Sequence, residues 1–203
     1  MKGRSHQVRV LAILGLLGGI TAVPLILAFS QTGWGLPGTS AYQTYELLNR
    51  SMAVSLLLMS AGWFGVILIW PNGYGRYAAI LAFIGSLIMV AGNAAEFWLF
   101  SDLPYGSGSN WRNTAWSVFG IGSMLLDVGA MILGVAVWRS RLWPRWSALI
   151  LMLAFPIDLA AYFLLGSPFG ATAVLALLIG TLLLFVGDIP AQSGTAIQKA
   201  NVL

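Results

Sequence analysis

The sequence predicts an all-α fold, a polytopic membrane bundle of six transmembrane helices with both termini cytoplasmic. Three observations predict it. Hydrophobic residues make up 59% of the 203 positions and charged residues only 8%, with a mean hydropathy of +0.86. Soluble domains carry about 25% charged residues, so this chain can cover a lipid-facing surface but not a water-facing one. Apolar stretches recur at 8–29, 51–70, 77–100, 114–138, 146–165 and 168–186, and each suffices to cross a ~30 Å hydrocarbon core at about 1.5 Å per residue. The basic residues then orient the chain. With the N-terminus inside, Lys2, Arg4, Arg9, Arg76, Arg139, Arg141, Arg145 and Lys199 are cytoplasmic, and only Arg50 and Arg112 are outside. Positive charge concentrates on the cytoplasmic side of membrane proteins, so the eight-to-two division gives this topology; the chain is expected in the cell (plasma or inner) membrane. No linker or disordered tract divides the chain, which reads as one domain, 1–203.

The first stretch follows Lys2, Arg4 and Arg9 and is about 20 residues long, against roughly 7–15 for a secretion-signal core. It is expected to be a retained span, with Pro24 as a kink. The second and third stretches are joined by the short inner turn at 71–76, and the fourth and fifth by the turn at 139–145. Outer connections at 30–50 and 101–113 are longer. The former carries Trp34, Pro37, Tyr42, Tyr45 and Glu46; the latter carries Asp102, Pro104, Tyr105, Trp111 and Arg112. Trp and Tyr at span ends are interfacial anchors first, although long aromatic loops also form lids and docking surfaces. The last two stretches are joined by a tight turn at Gly166 and Ser167. Three spans open alike, at Arg9-Val-Leu-Ala12, Arg76-Tyr-Ala-Ala79 and Arg145-Trp-Ser-Ala148. That pattern suggests three two-helix hairpins in parallel orientation; a basic residue at the start of each inside-to-outside span produces part of it without any duplication.

Three carboxylates fall within spans, where an Asp costs about 2.5–3.5 kcal/mol at the helix centre. Such a group requires a partner, a proton or water. Asp127 lies at the middle of the fourth span, with Ser123 one turn earlier. Asp158 lies slightly outward of the middle of the fifth, after Pro156 and one turn before Tyr162. Pro156 is expected to loosen the helix and free a carbonyl near residue 152. The two aspartates should lie within about 6 Å of each other along the membrane normal. Glu96, near the outer end of the third span, continues a polar strip through Asn93. Asp127, Asp158, Glu96, Asn93, Ser123 and Tyr162 are therefore the candidate lining of a polar cleft. At the outer surface, Arg50 and Arg112 are expected to form ion pairs with Glu46, Asp102 or Glu96. No Lys or Arg lies within the interior of any of the six stretches, so the deep aspartates have no cationic partner in prospect.

What is absent narrows the function. Cysteine is missing and His6 is the single histidine, in the N-terminal tail. Haem held by two histidines, iron–sulfur clusters, zinc sites and a Ser–His–Asp triad are thereby excluded. No phosphate-binding Gly-rich loop with a following Lys is present. The positive charges flank spans rather than forming a stripe, which excludes nucleic acid. The settings of Asp127 and Asp158 lack the Gly-x-Gly-Asp context of intramembrane aspartyl proteases. The bland account of the three carboxylates is a set of interhelical hydrogen bonds, each worth about 0.6 kcal/mol. The sharper one is non-enzymatic binding or transport of a small solute or proton through an outward-opening cleft. An accessory subunit packed against other membrane subunits, and a lipid-acting enzyme using the carboxylates as acid and base, are the alternatives.

Overall fold

The computed structural model describes residues 2–32, 39–70, 72–103, 110–165 and 169–186. Trp34, Pro37, Pro104, Tyr105, Gly166, Ser167 and Lys199 lie outside them. The described residues are all helical in their regular structure: α1 (Lys2–Thr32), α2 (Ser40–Ile69), α3 (Tyr74–Ala94) with a wide-turn π extension at Ala95–Leu99, α4 (Trp111–Ser140), α5 (Arg145–Met152), α6 (Ala154–Leu165) and α7 (Gly170–Val186). Four helices, α1 to α4, are long and apolar enough to cross a membrane, and α5 with α6 makes a fifth if the bent pair is one span.

α1, α2 and α4 are longer than the apolar stretches that predict them. α2 starts at Ser40, ten residues inside what the sequence presents as an outer loop. Thr39 caps it, its hydroxyl accepting from the Tyr42 amide at 3.2 Å, and Ser/Thr caps satisfy an amide the helix itself leaves open. Tyr42, Tyr45, Asn49 and Met52 are all buried, at the three- and four-residue spacing of one helix face. Hydropathy misses this turn because its buried face is aromatic and amide rather than aliphatic. Asn110 caps α4 in the same way, accepting from the Asn113 amide at 2.8 Å. α1 continues through Pro24 without a break.

The fifth apolar stretch is broken. α5 and α6 meet at Leu153 with a bend of 56°. Pro156 explains the position. It has no amide to bond the Met152 carbonyl, and its ring crowds that carbonyl, yet it is tolerated in the first turn of a new helix. The ladder accordingly ends with the Leu153 amide on the Leu149 carbonyl at 3.0 Å and restarts with the Ile157 amide on the Leu153 carbonyl at 2.9 Å. The loosening expected of Pro156 is thus a full break.

Close seams hold the bundle. A Cβ on Gly85 of α3 would stand 2.4 Å from the Leu126 amide nitrogen and 2.7 Å from the Gly122 carbonyl oxygen of α4. A Cβ on Gly92 would stand 2.4 Å from the Phe119 amide. Only glycine lets two backbones approach this closely, which is how membrane helices associate without a hydrophobic driving force. The α1–α2 seam repeats contacts of the α3–α4 seam. Gly18 meets the Met59 amide and the Ser55 carbonyl; adding 67 to each number gives Gly85, Leu126 and Gly122. Gly15 against Gly62 likewise becomes Ala82 against Gly129. The first two hairpins share these contacts at the 67-residue interval that separates Arg9 from Arg76. α5–α6 departs from them by its break, and α7 packs against α1 through Gly19 and Gly180 and against α2 through Gly62 and Gly65.

Candidate functional site

Two polar clusters stand between the helices. The first lies where α4, α6 and α7 meet. The Ser123 hydroxyl of α4 donates to Asp158 Oδ2 at 3.0 Å, and the Ala171 amide in the first turn of α7 donates to Asp158 Oδ1 at 3.1 Å. Asp158, on α6, thus closes the open N-terminus of α7 from another helix, where the unsatisfied amides and the helix dipole favour negative charge. Asp127 sits one turn along α4 from Ser123, on the same face. It is within electrostatic reach of Asp158. Only 2% of its surface is exposed, and its Oδ1 has no hydrogen-bond partner. Asp127 thus lies one helical turn, about 6 Å along α4, from the Ser123 that meets Asp158. Thr172 follows Ala171 in α7 and is also buried, with an unpartnered Oγ1.

The second cluster surrounds Arg112. This guanidinium is not a surface group, as the outer ion pairs would require: it is 2% exposed. Its Nη1 donates to the carbonyls of Ser101 and Leu103, each at 2.8 Å, and its Nη2 donates to the Tyr42 hydroxyl. Those carbonyls flank Asp102, whose own side chain is exposed. Arg112 also lies 5.6 Å from the Tyr42 ring and 5.9 Å from the Phe97 ring, distances at which a desolvated cation gains from the ring face. Glu96 is buried beside it, in electrostatic reach of Tyr42 and Tyr45. The π extension is what places Glu96 and Phe97 together on the inner face, and such wide turns occur often at functional sites. Arg50 pairs with Glu46 at 3.2 Å and donates through Nε to the Phe97 carbonyl at 2.8 Å. A cavity of about 190 Å³ lies at Arg50 and Trp98.

An aromatic layer connects the clusters. Tyr45 packs on Phe97 at 5.7 Å and on Phe29 at 5.8 Å; Phe29 stacks on Phe169 at 5.8 Å, and Phe169 meets Phe119 at 5.3 Å. Phe169 immediately precedes α7, so these rings lie over the helix end that Asp158 holds. α7 begins level with Ser123, which is twelve residues, or about 18 Å, short of the first residue of α4. The α7 end is therefore recessed below a collar made by α2, α3 and α4.

Of the residues singled out in the sequence, Asp127, Asp158 and Ser123 come together. Glu96 joins the Arg112 cluster. Asn93 is buried along α3 with an unpartnered Oδ1. Tyr162 is 45% exposed and its ring meets only Phe163 among the described rings, so it does not line the aspartate site. Sequence reasoning misses Thr172 and the Ala171 amide, because neither shows in hydropathy or charge. The 67-residue equivalence adds a signal that it passes over. Asp127, Asn93, Glu96 and Arg112 correspond to Ser60, Ile26, Phe29 and Tyr45, all buried as well. The second hairpin is thus polar at positions where the first has a hydroxyl, an aliphatic group and two rings.

No family model matches the chain, and neither does any curated protein or solved structure.

Proposed function

We propose that this chain is a six-pass integral protein of the plasma or inner membrane, with both termini cytoplasmic. It binds or passes a small solute or proton at Asp127 and Asp158, in a polar cleft that opens outward. Six passes are supported by the alternating direction of packed neighbours, with α5–α6 as one bent pass. α7 is the sixth: its 17 residues rise about 26 Å, close to the hydrocarbon thickness. The basic residues support the orientation, since Arg50 and Arg112 sit together at the end opposite Arg76, Arg139 and Arg145. That end is then the outer one, and the recessed start of α7 faces outward.

The observation that carries the functional reading is Asp127 itself. It is a buried carboxyl with an unpartnered oxygen, beside a second carboxyl, and no basic residue occurs from 113 to 138 or from 146 to 186. A charge at this depth is costly, and stability alone does not require it, because the equivalent Ser60 packs in the first hairpin with its hydroxyl bonded to the Leu56 carbonyl. The donors are all oxygen and the formal charge is negative, which favours a cationic solute or a proton over an anion.

The test is purification in native lipid with mass spectrometry of the small molecules retained, followed by thermal unfolding with each one added back. A solute at a hundredfold excess over its Kd stabilises the binding state by about 2.7 kcal/mol. The wild type is expected to show that stabilisation and Asp127→Asn to lose it. Equal stabilisation of both proteins would remove Asp127 from the site and end this reading.

A further inference from the structure

We infer that the species handled at this site is a proton, and that its arrival on Asp158 releases α6 to swing about Leu153. This inference rests on the reading of Asp127 and Asp158 as the binding site. Its first ground is how little else holds α6. Phe155, Leu159, Tyr162, Phe163 and Leu164 are exposed, while Ala154 and Ala161 are its buried residues. One residue, Leu153, joins it to α5 at the 56° bend. Among the described side chains of α6, Asp158 makes the polar ties to α4 and α7. Beyond that, α6 packs on α7 where Ala161 meets Gly170, so the helix is a lever with a single-residue joint at Leu153, one small apolar contact and one polar latch.

The second ground is the state the latch requires. Asp158 accepts at both oxygens, from Ser123 and from the Ala171 amide. A carboxylate can accept at both; a protonated carboxyl must donate from one of them. Protonation also removes the attraction between the carboxylate and the amide end of α7. When that proton leaves again to water, the O–H bond at Asp158 breaks, the carboxylate re-forms to accept from Ser123 and the Ala171 amide, and the latch closes. Other charged groups do not intervene. The face of α4 offers Asp127 and Ser123; α7 has no titratable residue from 169 to 186, and α1 has none from 10 to 32; Arg145 is at the far end of α5; and Tyr162 on α6 itself is turned outward. A proton also needs no cavity, and the cavity at Arg50 and Trp98 lies away from the aspartates.

The absence of native cysteine allows the motion to be read directly. Met124→Cys on α4 and Phe163→Cys on α6 are both exposed positions that accept spin labels. The distance between them is followed by pulsed electron paramagnetic resonance in lipid nanodiscs through a pH titration. A swing of about 15° carries residue 163 about 4 Å from its starting point, ten residues beyond the joint. The labelled protein is expected to lengthen by that amount on acidification, and the same pair in an Asp158→Asn background to hold one distance at every pH. Ser123→Ala, which removes one tie and keeps the carboxyl, retains the transition. A distance independent of pH in the otherwise native chain overturns the inference, as does a transition that survives Asp158→Asn. If the distance is fixed while a solute still stabilises the wild type and not Asp127→Asn, the gate is wrong and the binding site stands.

Discussion

Gly122→Ala is expected to cost about 3 kcal/mol, while Gly120→Ala, two residues away on the same helix, leaves stability unchanged or raises it by up to about 1 kcal/mol. The contrast follows from the seam between α3 and α4. A Cβ on Gly122 would stand 2.5 Å from the Met89 amide nitrogen and 2.8 Å from the Gly85 carbonyl oxygen, whereas a Cβ on Gly120 meets nothing within 4 Å. Backbone atoms cannot give way as a flexible side chain can, so the helices must separate and lose the contacts along their length. Both changes gain the same helix propensity, which leaves seam distance as the difference. Thermal unfolding in one detergent reads it. Equal midpoints for the two variants would mean that α3 and α4 are not in backbone contact.

Arg112→Met is expected to cost about 3–5 kcal/mol, the range for removing one partner of a buried charged network. The substitution keeps most of the volume and removes the donors. It strands the Ser101 and Leu103 carbonyls and the Tyr42 hydroxyl, and it removes the cation from the faces of Tyr42 and Phe97. Arg112→Lys is expected to recover less than half, since an ammonium lacks the planar fork that reaches two carbonyls and a hydroxyl together. Unfolding midpoints check the size of the effect. Hydrogen exchange checks its place: protection of the Leu103 amide, which bonds the Phe100 carbonyl at 3.1 Å, should fall in Arg112→Met. An effect within about 0.5 kcal/mol would make Arg112 the exposed group that its position near a helix end suggests.

The sequence makes the long apolar helices legible because lipid demands an unbroken hydrophobic length and a self-satisfied backbone. It hides helix ends outside the apolar zone. The first turns of α2 are polar by count, and the burial of Tyr42, Tyr45 and Asn49 follows only once they are placed on a helix. Pro156 marks where α5 and α6 part, but a proline inside a membrane helix is compatible with a mild kink as well as a break. Position along a span gives an expected depth, and the contact of Ser123 with Asp158 is compatible with the turn or so that the residue count expects between Asp127 and Asp158. Rotation is a property of the packed bundle. It decides that Ser123 faces Asp158 while Tyr162 does not, and that Glu96 belongs with Arg112. The capping of α7 by a carboxyl thirteen residues earlier, on a different helix, has no local signature at all.

The most direct test of the account is a double-mutant cycle on the two aspartates, with unfolding free energies measured for wild type, Asp127→Asn, Asp158→Asn and the double variant at one pH. Groups that share a site couple by about 0.5–3 kcal/mol, whereas independent ones add to within about 0.5 kcal/mol. The account predicts that the double variant departs from the sum of the single effects by about 1 kcal/mol or more. Additivity within experimental error would place Asp127 and Asp158 in separate environments and contradict the shared site.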